Sequence, residues 1–476
     1  MRKLLIFLTV LFFSFKIDAQ ADKPALTKAL SAFKKTPALK QAHIGISIRD
    51  LQNGQEVFQW HAKQNFVPAS NLKLLYTFAA IDQLGKDYRY KTELGYSGKI
   101  VNKILFGDLI IKTSGDPSFG SKRMKEDYHQ LMAQMVSKLR NSGIKTINGR
   151  IIMACNGWRY PAAGSWPVED IGNYYGTGAW DFNFNDNRLD LFLKSGHQVG
   201  EPTRLIKTEP VVPGITYINK VLTAEPGSDD EAYIHAAPFD TTRFILGTIP
   251  AGKEAFRVKG GMPNPPLSFL KLFKQELLAN HIEVKNIAVS YALPSDFKPL
   301  WSHYSKPLID LVKYTNDYSI NHFSEALAWL LIQGDTPAKG YLDKKAIHQF
   351  FSSYGFQKAD IEDGSGLAPD NLVQPAQMTA FLKLMKSKMG MKTVLDILPH
   401  AGVDGYAKYF LKNNPSQSQV WLKSGSVSKV QNYTGIFKAK SGHFYSFSIM
   451  TNNFIGKHKT VKKAIEKLLS EYISIL

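Results

Sequence analysis

Cysteine is almost absent: Cys155 is the single one among 476 residues. One thiol excludes an intramolecular disulfide and any zinc site of Cys/His spacing, so stability must come from packed cores. Cys155 ends the apolar run Ile151-Ile152-Met153-Ala154 and reads as a small core or strand-end residue, not a nucleophile. No glycine-rich phosphate loop and no His/carboxylate cluster of metal-ligand spacing occurs, so no metal, nucleotide or flavin is implied as a cofactor. Low-complexity tracts and fixed-period repeats are missing, and 44% hydrophobic with 21% charged residues is the composition of a folded globular chain. Beyond the first twenty residues no apolar stretch approaches the roughly 20 residues that cross a bilayer. Acidic residues are in deficit, 40 against 59 Lys and Arg, for a formal net charge of +19.

What is present begins with an export signal. Met1-Arg2-Lys3 is a positive start, Leu4 to Phe15 is apolar but too short to span, and Ile17-Asp18-Ala19 offers a small residue for cleavage. Removal of residues 1–20 takes Arg2, Lys3, Lys16 and Asp18 with it and leaves a charge of +17. An exported, strongly basic chain with no nucleic-acid-binding motif is expected in the periplasm or cell envelope, where an anionic surface is a natural partner and nucleic acid is not.

The length predicts two to four domains at roughly 100 to 200 residues each. Ala25 to Phe33 has helical spacing, and His43 to Arg49 alternates as a half-buried strand. Asn53-Gly54 signals a tight two-residue hairpin turn. From Asn71 a helix runs to Gly85. Residues 91–299 form a β-rich block of short apolar stretches, Ile104 to Ile111 and Phe244 to Ile249 among them, with one helix near Leu267 to Asn280. Helices follow at Leu308 to Lys313, Ile320 to Leu331, Pro375 to Met385 and Thr393 to Ile397. Three strands, Gln419 to Leu422, Tyr433 to Ala439 and Phe444 to Thr451, precede a helix from Thr460 to Ile475. The two ends together match one α/β domain, residues 21–90 with 300–476: an antiparallel sheet covered by helices and interrupted by the block at 91–299. Within that block two subdomains are expected, 91–160 with 236–299, and 161–235.

Three short elements carry chemistry: Ser70-Asn71-Leu72-Lys73, Ser319-Ile320-Asn321 and Lys423-Ser424-Gly425-Ser426. Alone each is weak, since Ser-x-x-Lys starts at six serines and Lys-Ser-Gly occurs three times. Context selects among them. A hydroxyl and an amine three residues apart share one helical face, and the first turn of a helix offers unpaired N–H groups to a developing oxyanion. Ser70 alone combines an extended Pro-Ala approach with a convincing helix. Lys423 follows Val420-Trp421-Leu422 on a strand, with Gly425 expected to let a ligand approach the backbone. Ser319 and Asn321 sit where Tyr314 to Tyr318 give way to a helix.

In that order the elements follow the Ser-x-x-Lys, Ser-x-Asn, Lys-(Ser/Thr)-Gly pattern of active-site-serine penicillin-recognising enzymes. The chain resembles the D-alanyl-D-alanine carboxypeptidases and endopeptidases of the class C, low-molecular-mass penicillin-binding protein type. The resemblance includes Gly107-Asp108-Leu109 through Gly115-Asp116-Pro117, Asn185-Asp186-Asn187, Asp363-Gly364-Ser365-Gly366-Leu367 and Ala401-Gly402-Val403-Asp404-Gly405. It implies an α/β (α+β) fold like that of serine β-lactamases and DD-peptidases, with a large insertion, acting on peptidoglycan stem peptides and acylated by β-lactam antibiotics. It further implies Ser70 as nucleophile, Lys73 as base, Ser319 as proton relay, and Asn321 holding Lys73 and a substrate amide. Lys423 and Ser424 would bind the terminal carboxylate, and the N–H groups of Ser70 and Ser426 would form the oxyanion hole. Ser424 stands where Thr is more usual, Ile320 where a polar residue is common, and Ala154 where the family commonly carries an acid near the substrate's diamino acid. A β-lactamase or serine esterase would use the same elements, though the insertion argues against it; a non-catalytic penicillin-sensing or murein-binding protein is the reading from another class.

Overall fold

A computed structural model describes residues 22–334 and 336–476, so the expected signal at 1–20 lies outside the described residues. A five-stranded antiparallel sheet joins the two ends of the chain in the order Glu56–Trp60, His43–Asp50, Phe444–Asn452, Val430–Lys438, Val420–Val427. His43–Asp50, an interior strand, is packed on both faces. Ile44, Ile46 and Ile48 face a core built with Leu26, Leu30 and Phe33 of the helix Lys23–Lys34 and with Val461, Ile465 and Leu468 of the helix His458–Ile475. On the opposite face Gly45 and Ser47 are small enough for a helix to lie close. A Cβ at Gly45 would fall 2.4 Å from the Phe66 ring and 2.8 Å from Pro375, and Ser47 Oγ bonds Thr379 Oγ1 at 2.8 Å. That second layer comprises Lys73–Leu84, Leu308–Tyr318, Asn321–Ile332 and Pro375–Ile397, the last broken at Gly390.

The first hairpin departs from the tight turn expected at Asn53-Gly54. The strands are joined by a five-residue loop, 51–55, because the Asp50 carboxylate accepts the backbone N–H groups of Gln52 (2.6 Å) and Asn53 (3.2 Å) and widens the turn. Gly54 keeps the positive φ of 80° that the reversal needs.

The inserted block differs from expectation in three places. It holds a second long helix, Tyr128–Asn141, whose buried Leu131, Met132, Met135, Val136 and Leu139 lie along one stripe, capped by Asp127. The apolar run from Ile104 to Ile111 is two strands, Ile104–Phe106 and Leu109–Lys112, separated at Gly107-Asp108, where Asp108 Oδ1 accepts the N–H of Arg150 at 2.7 Å. The expected limits at 235 and 299 both fall inside paired structure. Strand Thr242–Leu246 pairs with Thr216–Asn219 and Tyr233–His235, Phe256–Gly261 pairs with Arg188–Lys194, and one apolar core runs from Leu94 through Leu191 and Ile245 to Phe269. Lys298–Tyr304 closes the block by pairing with Lys91–Tyr96 in a seven-stranded sheet. The helix Lys344–Ser352 is a further element not read in advance.

Candidate active site

Ser70 lies in the tight turn Ala69–Leu72 that leads into the helix Lys73–Leu84. Ala69 holds a φ of 47°, a conformation most residues avoid and one that persists only when the surroundings enforce it. Two glycines do so from either side. A Cβ at Gly366 would come 1.9 Å from the Ala69 carbonyl oxygen, and one at Gly425 would come 2.5 Å from that of Pro68. Gly425 therefore admits the chain's own Ser70 turn, where the sequence had pointed to a ligand. Asn71, wholly buried, donates to Thr434 Oγ1 at 2.9 Å and ties the turn to the sheet.

Lys73 Nζ lies 2.8 Å from Ser70 Oγ and donates to the Ser365 carbonyl at 2.6 Å. The amine is 0% exposed, and burial pushes its pKa down from 10.5 to about 7 even though Asp363 and Glu325 pull it upward. Asp363 organises the loop that supplies the Ser365 carbonyl. Its carboxylate accepts the N–H groups of Gly366 (2.7 Å) and Ala368 (2.7 Å), the Asn371 amide (2.9 Å) and the Trp166 indole (2.8 Å). Glu325, buried on the helix Asn321–Ile332, accepts the Gly364 N–H at 3.0 Å, and its own pKa is pushed up to about 8 by burial and Asp363. Sequence reasoning missed these anchoring roles; the Asp363-Gly364-Ser365-Gly366 run was the available signal.

The third element meets the second. Lys423 Nζ donates to Ser319 Oγ at 2.9 Å and to the Ser424 carbonyl at 2.8 Å. Ser319 ends the helix Leu308–Tyr318 with φ 55°, a left-handed cap between two helices. Lys423 is buried, and burial and the neighbouring Lys73 hold its pKa well below the usual lysine range. Val420–Val427 is an edge strand whose outer edge is taken at its start by residues 399–401, with the Leu422 N–H donating to the Pro399 carbonyl at 2.8 Å and the Ala401 N–H to that of Val420 at 2.9 Å. Beyond these, Ser424 is half-buried and Ser426 exposed, which leaves that stretch to pair with an extended ligand. Ser426 Oγ also contacts His458 Nδ1 at 3.2 Å. Asn321 is not on Lys73: its amide donates to the Tyr175 carbonyl of the inserted block at 2.8 Å, while Lys73 bonds Ser70 and Ser365.

The two amine–hydroxyl pairs are close enough for Lys73 to act electrostatically on Lys423, and Lys423 stands on the edge strand. The sequence pattern of the D-Ala-D-Ala carboxypeptidase 3 (S13) family matches residues 26–472. The chain belongs to that family. It is 24% identical over 421 residues to D-alanyl-D-alanine carboxypeptidase DacB of Haemophilus influenzae, covering 87% of this chain and 86% of the relative. A D-alanyl-D-alanine carboxypeptidase of Actinomadura sp. is 25% identical over 469 residues, covering 94% and 85%. The crystal structure of penicillin binding protein 4 from H. influenzae shares the fold, with a TM-score of 0.80, 22% identity, and coverage of 93% of this chain and 97% of that one.

Proposed function

We propose that the protein is a serine DD-peptidase that cleaves D-Ala-D-Ala termini and/or D-Ala–diamino acid cross-links of peptidoglycan through an acyl-enzyme on Ser70. The observation that carries this is the contact of 2.8 Å between Ser70 Oγ and a buried lysine whose pKa is lowered to about 7. Neutral Lys73 accepts the hydroxyl proton as Ser70 attacks the penultimate carbonyl. The proton passes by way of Ser319, bonded to Lys423, to the leaving amine. Lys423 and Ser424 take the substrate's free carboxylate, which adds to Asp317 as a counter-charge favouring the charged form that burial of Lys423 disfavours. Backbone N–H groups of Ser70 and Ser426 stabilise the tetrahedral oxyanion, a contribution of roughly 3 to 4 kcal/mol per donor. Asn321, anchored on Tyr175, serves the substrate amide and not Lys73. Water then releases the acyl group.

A β-lactam presents the same carbonyl to Ser70, and the related penicillin binding protein 4 has been crystallised with one. Residues 22–90 with 305–476 act as the catalytic unit, the strand Lys298–Tyr304 belonging to the inserted block, and the chain works after export, with its surplus of basic residues favouring an anionic envelope surface. The test is incubation of the mature protein and its Ser70→Ala variant with purified muropeptides and labelled penicillin. Mass spectrometry follows D-alanine release, cross-bridge cleavage and the labelled peptide. Activity that survives in the variant removes the nucleophile.

A further inference from the structure

A cavity of about 200 Å³ borders Ser319 and Asn321, walled on the other side by Arg123, Tyr174 and Tyr175 of the inserted block and by Tyr318 and Tyr406. We infer that Arg123 is the receptor for a second carboxylate on the leaving side of the substrate, and that it favours cross-linked stem peptides over a single terminal D-alanine. The inference rests on the DD-peptidase reading above.

Arg123 is held by one edge only. Its Nε bonds Asp186 Oδ2 at 2.9 Å, and Asp186 is itself fixed, buried with its other oxygen accepting from Ser121 Oγ at 2.5 Å. Among the described residues the two terminal amino groups of Arg123 meet no acceptor, and the side chain is 25% exposed. Arg188, in the same wall, is committed: Nε and Nη2 both reach Asp190, at 2.9 and 3.1 Å. A guanidinium pinned through Nε with a free terminal fork is oriented for a carboxylate. The local field agrees. Lys259, 5.3 Å from the Tyr174 ring, has its pKa lowered first by burial and then by Arg257, Arg188 and Arg123, with Asp190 opposing, so several cations gather at this wall.

Ser319 is the hydroxyl from which the leaving amine takes its proton, so the leaving portion lies against this cavity. A departing D-alanine carries one carboxylate, which Lys423 and Ser424 take. A departing cross-linked stem brings further carboxylates, and the cavity is large enough for one acidic arm and too small for a whole peptide.

The experiment compares kcat/KM of wild-type, Arg123→Gln and Arg123→Lys proteins on a pentapeptide muropeptide, a cross-linked dimer, and the same dimer with its carboxylates amidated. Labelling by penicillin in each variant reports an intact Ser70 site, and Arg123→Lys keeps a cation beside Asp186 should the glutamine variant not fold. The dimer-to-pentapeptide ratio is expected to fall about tenfold, the loss of one charged hydrogen-bonded pair, and amidation should remove most of the difference between the proteins. A wild-type ratio in a folded variant overturns the inference, as does an equal loss on the amidated dimer. Cleavage of both substrates by Ser70→Ala would instead sink the parent reading, whatever the ratio.

Discussion

Gly425 packs so tightly on Pro68 that a Cβ placed there would stand 2.5 Å from the Pro68 carbonyl oxygen and 2.9 Å from the Asn71 nitrogen. The edge strand and the nucleophile turn are thereby locked edge to edge. Neither contact can relax through a flexible side chain, because both are backbone. Gly425→Ala should therefore destabilise the fold by roughly 1–3 kcal/mol, the range for overpacking, and slow penicillin acylation further by shifting Ser70 against Ser426. Denaturant unfolding together with labelling kinetics checks both parts; wild-type acylation in a stable alanine variant would refute the packing argument.

The burial of Lys73 sets the pH response. Its pKa of about 7 means that the amine is largely protonated at pH 6 and largely neutral at pH 8. Only the neutral form accepts the Ser70 proton, so acylation should fall about tenfold per pH unit below this point and level off above it. Lys73→Arg, which stays charged throughout, should abolish acylation at every pH. Stopped-flow acylation between pH 5 and 10 decides; a limb centred near the ordinary lysine value of 10.5 would contradict the assignment.

Much of the catalytic half could be read from local pattern. The Ile44, Ile46, Ile48 alternation marks a strand and its buried face, and the stop at Gly85 marks the end of a helix. Local reading failed where a side chain overrode the pattern, as Asp50 did in widening the Asn53-Gly54 turn. It failed again in the inserted block, where attention to short strands hid the stripe of Tyr128–Asn141 and the pairings that cross residue 235. The site was legible as three motifs, whereas their supports were not. Asn321 meets Tyr175, 146 residues earlier, and Trp166 meets Asp363 across 197 residues. Such pairs depend on how the inserted block docks, which no spacing rule encodes.

That docking makes Trp166 a positioning residue. Its indole N–H donates to Asp363 Oδ2 at 2.8 Å, and Asp363 holds the loop whose Ser365 carbonyl accepts from Lys73. Trp166→Phe preserves most of the buried surface and deletes one donor to a buried carboxylate, a loss of about 1–3 kcal/mol. Acylation should slow by about tenfold or more as Lys73 loses registration, and the acidic limb of its pH profile should move. A folded Phe variant with both rate and limb unchanged would leave Trp166 a purely structural contact.

Ser319 and Lys423 form the second amine–hydroxyl pair, 2.9 Å apart. Ser319→Ala removes the relay and leaves the buried Lys423 amine, among the described residues, with the Ser424 carbonyl as its hydrogen-bond partner. Proton delivery to the leaving amine should then become limiting, lowering peptide turnover by roughly 10²–10⁴. Lys423→Ala should act differently. With the carboxylate receptor gone, loss should be greatest for substrates with a free C-terminus and smaller for a C-terminally amidated analogue that wild type already handles poorly. Steady-state kinetics on the paired substrates separates the two roles; equal losses on free and amidated substrates in Lys423→Ala would show that Lys423 serves only to hold Ser319.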